Sequence, residues 1–432
     1  MKILHRSSPT FDRHVADLFA RKCQFDDAVE TSCARIINEV KEDGDQALHR
    51  LTLIHDRIDL KLVPQRFDGQ TIKDAARALD RKTLDALYIA YDRIKAFHLR
   101  QKPDDDLFTD EYGNQLGLRW RAIASVGLYV PGGTASYPSS VLMNAVPAEV
   151  AGVGRIAMTV PTPDGRIDPL VLAAAHLCGI DEIYRIGGAQ AIAALAFGTQ
   201  SIKPVDKITG PGNAWVAAAK KQVFGQVGID MIAGPSEILI VADGLNDPDV
   251  IAIDLLSQAE HDHDARAILI TDDAAFADRV QQQLQLQLAQ LDRRAIAAKS
   301  LEGQGAIIIV EAFAEAVDLI DLIAPEHLEL AIEGAEAFAQ KITNAGAIFV
   351  GRSTPEAIGD YIAGPNHVLP TARAARYASG LGVHDFMKRT TVTSCSQEGL
   401  RAIGPDAIVL AKAEGLGAHA RSIEARLEKL NR

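Results

Sequence analysis

Cysteine is scarce in this chain, and what there is lies scattered. Cys23, Cys33, Cys178 and Cys395 make no Cys-x-x-Cys pair and no close-set framework. That argues against a disulfide scaffold and for a reducing compartment. An excess of positive charge is also missing: 45 Lys and Arg stand against 57 Asp and Glu, a net charge of −12. A general nucleic-acid surface, which needs a basic patch, is therefore not expected. No apolar run approaches the ~20 residues of a membrane span, and Met1 to Pro9 lack a signal-peptide apolar core. A soluble cytoplasmic protein is expected, with no membrane partner. The usual nucleotide signatures are absent too. There is no Walker phosphate loop, and the nearest approach to a dinucleotide fingerprint, Gly152-Val153-Gly154-Arg155-Ile156-Ala157, precedes a strand-like run instead of following one.

What is present is a long, ordinary globular sequence of 432 residues, 47% apolar, with room for two to four domains of roughly 100–200 residues each. Residues 1–25 read as an arm. From Ala28 to Lys102 apolar residues such as Ile36, Ile37, Val40, Leu84, Leu87 and Ile94 fall at helical spacing. From Trp120 strand-length runs alternate with helices. Strands are predicted at 125–130, 156–160, 182–186 and 207–209, and in a second series at 237–241, 267–270, 306–310 and 347–350. Strand-loop-helix repetition implies parallel sheets covered by helices, an α/β fold. The division predicted is residues 26–129 with 236–380 as a discontinuous first α/β domain, 130–235 as the second, and 381–432 as a separate C-terminal element. Glycine-bearing loops follow three strands, at Pro131-Gly132-Gly133, Gly187-Gly188 and Gly210-Pro211-Gly212-Asn213. Each is either a phosphate-binding turn or a plain tight turn.

Candidate chemistry gathers in four places. Asp247-Pro248 opens a helix on which Gln258 and His261 stand at i and i+3, so an amide oxygen and an imidazole meet on one face. That is half of a divalent-metal site, or a polar helix end facing water. His263, two residues on, is on the wrong face to share the ion. Ala324-Pro325-Glu326-His327 reads as a helix start with Pro in its first turn. Glu326 and His327 there suit a carboxylate and a neutral imidazole base, or are ordinary first-turn residues. Asp360 is either a hard oxygen ligand or a loop aspartate. His419 follows Glu414-Gly415-Leu416-Gly417-Ala418 in the C-terminal element. His5, His14, His49, His55, His98, His176 and His384 are given no role.

Taken together, eight stretches resemble the histidinol dehydrogenase family, in order and over nearly the whole chain. They are Gly127-Leu128-Tyr129-Val130-Pro131-Gly132-Gly133, Ile186-Gly187-Gly188-Ala189-Gln190-Ala191-Ile192, Gly210-Pro211-Gly212-Asn213, Ala233-Gly234-Pro235-Ser236-Glu237, Ser257-Gln258-Ala259-Glu260-His261-Asp262, Ala324-Pro325-Glu326-His327-Leu328-Glu329, Gly364-Pro365-Asn366-His367-Val368-Leu369-Pro370-Thr371 and Glu414-Gly415-Leu416-Gly417-Ala418-His419. The resemblance implies incomplete Rossmann-like sheets, which suits the missing fingerprint, and an intertwined homodimer with shared active sites. It implies one Zn2+ per subunit on Gln258, His261, Asp360 and His419, with His419 reaching the partner's site. Glu326 and His327 become the acid/base pair. Ser236 and Glu414, with His327 and the metal ligands, become contacts to L-histidinol, and Tyr129, Gln190 and Asn213 contacts to NAD. The implied reaction is the oxidation of L-histidinol through L-histidinal to L-histidine with two NAD, the last step of histidine biosynthesis. No cysteine sits in a convincing catalytic setting, so a water route through Glu326 and His327 is expected. His263-Asp264 departs from the family's usual Pro or Gly there, which should alter the loop without removing a ligand. The alternative is a paralogous zinc and NAD dehydrogenase of another amino- or sulfo-alcohol. A zinc hydrolase without NAD is a more distant rival.

Overall fold

A computed structural model describes residues 1–19, 27–132 and 137–432; Cys23 and Gly133 lie outside them. Two parallel sheets organise the chain. One has six strands in the spatial order Lys2–His5, Ala306–Ile309, Arg266–Thr271, Glu237–Ala242, His327–Ala331 and Ala347–Val350. The other has five, in the order Glu182–Tyr184, Arg155–Thr159, Ser125–Tyr129, Lys207–Thr209 and Gly228–Ile229. A third, antiparallel sheet joins Met387–Ser394 to Gln115–Ala122 and Asp106–Thr109. The α/β class expected from strand-helix alternation is what is found.

Both parallel sheets are covered on two faces, so their strands alternate between two cores. Along Glu237–Ala242, Ile238, Ile240 and Ala242 enter one cluster with Ile251, Leu255 and Phe276, while Leu239 and Val241 enter another with Leu319, Ile320 and Leu328. The helices that cover them start where the sequence places a short polar side chain. Asp168, Asp247, Asp273 and Asn213 each accept hydrogen bonds from first-turn amides. Helices Asp27–Asp43, Asp45–Asp56, Gly69–Ala78 and Arg81–Leu99 fill the predicted helical entry segment. Lys2–His5, within the expected arm, pairs with Ala306–Ile309 as an edge strand.

One expectation is overturned. Pro325 does not open a helix. It follows one: Ala314–Ile323 ends at Ala324, which takes a left-handed conformation (φ 48°), and the chain then enters the buried strand His327–Ala331. Proline is common just past a helix end because it cannot continue the helix. The run His-Leu-Glu-Leu-Ala is buried at every position, so its two acids and its histidine hid a central strand behind a polar pattern.

The glycine loops are packing devices. A Cβ on Gly187 would lie 2.4 Å from Pro161 Cβ, and one on Gly132 2.7 Å from Pro161 Cγ, so two strand ends close onto one proline. Gly210 (φ +118°) passes so near the Tyr129 carbonyl that a side chain there would overlap it.

Candidate active site

The two parallel sheets face each other strand end to strand end across a cavity. Tyr129, Pro131 and Gly210–Asn213, beyond the carboxyl ends of strands in the five-stranded sheet, face Ser236, Glu237, Arg266, Glu326 and His327, at the amino ends of strands in the six-stranded sheet. Between them lies a cavity of about 1170 Å³, larger than the ~300–1,000 Å³ of an ordinary small-molecule pocket. The carboxyl-end rule for ligand sites therefore holds for one sheet and not for the other.

Within the cavity His327 and Glu326 stand 3.7 Å apart. The His327 Nδ1–H donates to the Glu237 carbonyl (3.0 Å), which leaves Nε2 as the free base. Burial, together with His367 and His261 nearby, lowers the imidazole to about 4, so the ring is neutral, the form a general base requires. The cause is desolvation, not the helix dipole that the sequence suggested. Glu326 Oε2 accepts from Glu237 N–H at 2.9 Å. Burial, then the neighbouring charges of Glu237, Glu356 and Asp360, raises its carboxyl well above the usual range.

His261 comes just after the helix Pro248–Ala259, in a last tight turn closed by His261 N to Gln258 O at 3.2 Å. The two side chains still meet, with Gln258 Nε2 and His261 Nδ1 3.4 Å apart. Asp360 rides on the short helix Glu356–Tyr361. Its carboxyl is raised by burial to about 6. His367 Nδ1 sits 3.0 Å from its backbone carbonyl and 3.7 Å from its carboxylate. His261, Asp360, His327 and His367 all line the cavity or its floor.

A cation fits this donor set. Gln258 Oε1, His327 Nε2 and Glu356 Oε1 are buried without a hydrogen-bond partner among the described residues. Glu326, Glu356 and Asp360 are all held up by burial; neighbouring charges add to this, from Glu237, Glu356 and Asp360 at Glu326 and from Asp360, Glu329 and Asp254 at Glu356. The tightest acid-and-imidazole group is His327, Glu356 and Asp360, whose candidate ligand atoms lie within 4.8 Å of one another. It shares Asp360 with the set read from the sequence, and Glu356 is a neighbour the sequence reading missed. Mixed imidazole, amide and carboxylate donors suit zinc and its first-row neighbours.

The other sequence candidates divide. Ser236, Tyr129 and Asn213 line the cavity. Tyr129 is buried, and its hydroxyl accepts from Gly188 N–H at 3.1 Å. Asn213 Oδ1 caps the helix Ala214–Val223, accepting from Trp215 N and Val216 N. Gln190 is buried in the helix Gly188–Phe197, behind the cavity wall. Glu414 and His419 are exposed at the ends of the helices Gln397–Ala413 and Gly417–Leu430, and neither lines this chain's own cavity. Also unread in the sequence were Glu237 as the anchor of the pair, the buried acid Glu329 and its half-buried neighbour Asp254. Glu329 is raised to about 8 by burial and by Asp254. Their only signal was acids inside strongly apolar runs.

A buried neutral histidine, a paired carboxylate and a polar cation pocket between two parallel sheets define an α/β enzyme, and the comparisons make that class narrower. Residues 19–427 match the family model described as histidinol dehydrogenase. The chain is 58% identical over 427 residues to "Histidinol dehydrogenase" of Rhodospirillum rubrum, covering 99% of this chain and 98% of that protein. It is 55% identical over 429 residues to the protein of that name from Gluconobacter oxydans, covering 99% and 100%. A crystal structure of histidinol dehydrogenase from Elizabethkingia anophelis superposes with a TM-score of 0.95 at 36% identity, covering 100% of this chain and 99% of that one. This chain belongs to the histidinol dehydrogenase family and is an oxidoreductase.

Proposed function

We propose that this chain oxidises L-histidinol to L-histidine through L-histidinal, reducing two NAD in succession, as the last step of histidine biosynthesis. The observation that carries the reading is the pair Glu326 and His327, fixed on Glu237 and facing a polar cation pocket within one cavity. His327 Nε2 takes the hydroxyl proton as the alcohol carbon gives up a hydride. The aldehyde is then hydrated, with Glu326 receiving the proton of the attacking water, and the hydrate gives up the second hydride. No thiolate is needed: none of Cys33, Cys178 and Cys395 lines the cavity. Enclosure in a single cavity keeps the aldehyde between steps.

Zn2+ would be held by Gln258, His261 and Asp360, completed by the partner subunit's His419. When bound, it supplies a fixed point for the substrate's imidazole and amine, and NAD supplies the hydride acceptor. Ser236, with the partner subunit's Glu414, completes the substrate contacts, and Tyr129, Gln190 and Asn213 attend the dinucleotide. A homodimer with shared sites is supported by the exposure of Glu414 and His419 on the C-terminal helix pair. The domain division proposed is 26–129 with 236–380 as one unit, 130–235 as the other and 381–432 as the dimer element, although the strand Ser125–Tyr129 pairs within the five-stranded sheet. The cytoplasm is the proposed compartment; no described helix is long and apolar enough to cross a membrane.

The test is steady-state turnover with L-histidinol and NAD, counting NADH per substrate consumed. The expected ratio is two. A ratio of one would show that the reaction stops at the aldehyde, and no NADH at all would remove the reading.

A further inference from the structure

We propose that Arg266 and Ala372 are positioning residues for the acid/base pair, acting through the Glu237 carboxylate. This rests on the reading of Glu326 and His327 given above. In this role the two residues fix the side chain of the residue whose backbone holds the pair.

Glu237 opens its strand, and its backbone N–H and carbonyl are bonded to Glu326 and His327. Its side chain is held separately. Oε1 accepts from Arg266 Nη1 at 3.4 Å and from Ala372 N–H at 3.3 Å. Arg266 belongs to the neighbouring strand Arg266–Thr271, in register with Glu237, and its own N–H donates to the Ser236 carbonyl at 2.9 Å. Both charged residues are buried. An ion pair this deep is a poor way to join two strands, because apolar side chains of the same volume do so as well or better. What it adds is direction, a fixed setting for the residue that carries it.

The turn that supplies the second donor is strained. Ala372 (φ 52°) and Arg373 (φ 65°) are consecutive left-handed residues with side chains, a conformation that crowds Cβ against the following carbonyl. Among the described residues five non-glycine positions have positive φ, and Ala324 (φ 48°), two residues before Glu326, is another of them. Three of the five thus flank the two ends of one contact, Glu237 to Glu326. Strain of this kind persists where the surroundings over-determine it, and it gathers at functional sites. Here the surroundings are identifiable. Thr371 Oγ1 accepts at 2.5 Å from the N–H of Gly234, in the loop that leads to Glu237. Arg373 Nε donates at 2.9 Å to the carbonyl of Leu322, in the helix that leads to Glu326. One turn is therefore bonded to both segments that deliver the pair, and its strained amide closes on the Glu237 carboxylate between them.

The test separates positioning from ligand contact, since Glu237, Arg266 and Ala372 also line the cavity. Arg266→Met is similar in length and lacks the donor. It should lower kcat about tenfold or more, within the ~10²-fold that a misplacement of ~1 Å can cost. KM for NAD, KM for histidinol and zinc content should not change. The carbinol deuterium isotope effect on kcat should rise, because the chemical step then limits turnover. Arg266→Lys, which keeps the charge and a donor, should recover part of the loss. Ala372→Gly keeps the N–H and sets relief of the left-handed strain against added chain freedom, so Tm should change little while kcat still falls severalfold. A merely structural role would move the two together. A raised KM for NAD or histidinol in Arg266→Met, with kcat held, would overturn the proposal by making Arg266 a ligand contact. Unchanged kcat in either Arg266→Met or Ala372→Gly, or a kcat in Ala372→Gly that falls only as Tm falls, would overturn it as well. Should Arg266→Met fail to fold, the Ala372→Gly result decides. Each of these outcomes can occur with two NADH still formed per histidinol, so failure here is distinct from failure of the dehydrogenase reading.

Discussion

Glu326 and His327 are chain neighbours whose side chains hang from the two backbone groups of one residue. Glu237 N–H donates to Glu326 Oε2 at 2.9 Å, and the Glu237 carbonyl accepts from His327 Nδ1 at 3.0 Å. The parallel register that sets His327 opposite Ile238 makes this possible, since it leaves Glu237 one step beyond the ladder with both groups free. The pair is therefore built into the sheet and not into a loop. A general base held this way is preorganised. His327→Asn keeps a hydrogen-bond donor for the Glu237 carbonyl but removes the base. We expect kcat to fall by about 10²–10⁴, with zinc content by atomic absorption unchanged. Loss of the metal together with activity would make His327 a ligand instead.

Glu326→Gln separates the two oxidations. The amide keeps the acceptor that faces Glu237 N–H but cannot take a proton from water. The first hydride transfer should persist, and the second should slow by about 10²–10⁴. NADH per histidinol should then fall from two towards one, with histidinal caught by a carbonyl trap. An equal slowing of both steps, with the ratio still two, would refute the assigned role.

Much of this was legible in the primary structure, and the exceptions share a cause. Strands such as Glu237–Ala242 and Arg266–Thr271 announced themselves because both of their faces are apolar. His327–Ala331 is as deeply buried but carries His327 and Glu329, so its pattern resembled a polar helix start. Periodicity sees only the chemistry of side chains, and here an acid and an imidazole occupy core positions. Gln258 and His261 were paired correctly by spacing, although the helix ends at Ala259 and a single tight turn delivers the contact. Glu356 was invisible because its significance is purely spatial: nothing in sequence sets it 3.6 Å from His327 Nε2. His98, given no role, proves fully buried.

Site sharing between subunits has a clean genetic test. If the partner's His419 completes each metal site, His261→Asn and His419→Asn homodimers should each be inactive. Co-expressed chains should nevertheless regain activity, because one site of the mixed dimer then holds both native residues. NADH production by the purified mixed dimer, absent from both parents, is the expected result. Its absence, with the mixed dimer shown to form, would place His419 in its own chain's site or outside any site.

Acid sensitivity should have one contribution from outside the cavity lining. His98 has no exposed surface. Its Nδ1 lies 2.8 Å from the Ile94 carbonyl and its Nε2 is 3.4 Å from Asn366 Nδ2, which itself donates to the Met143 carbonyl at 2.6 Å. A ring donating through Nδ1 and accepting through Nε2 is neutral. Burial lowers its pKa below the ordinary 6.5, outweighing the opposite pull of the Ile94 carbonyl. As pH falls below about 6.5, the unfolded chain therefore takes up a proton that the folded chain resists, and stability declines with acidification. His98→Asn removes the titrating group and loosens Asn366, the residue before His367. We expect it to cost about 1–3 kcal/mol at pH 8, from the disrupted buried hydrogen bonds. We also expect a smaller stability loss between pH 7 and about 5 than in the unaltered protein, both measured by urea titration with metal bound. Parallel pH profiles for the two proteins would show that His98 is protonated as readily in the fold as in the open chain.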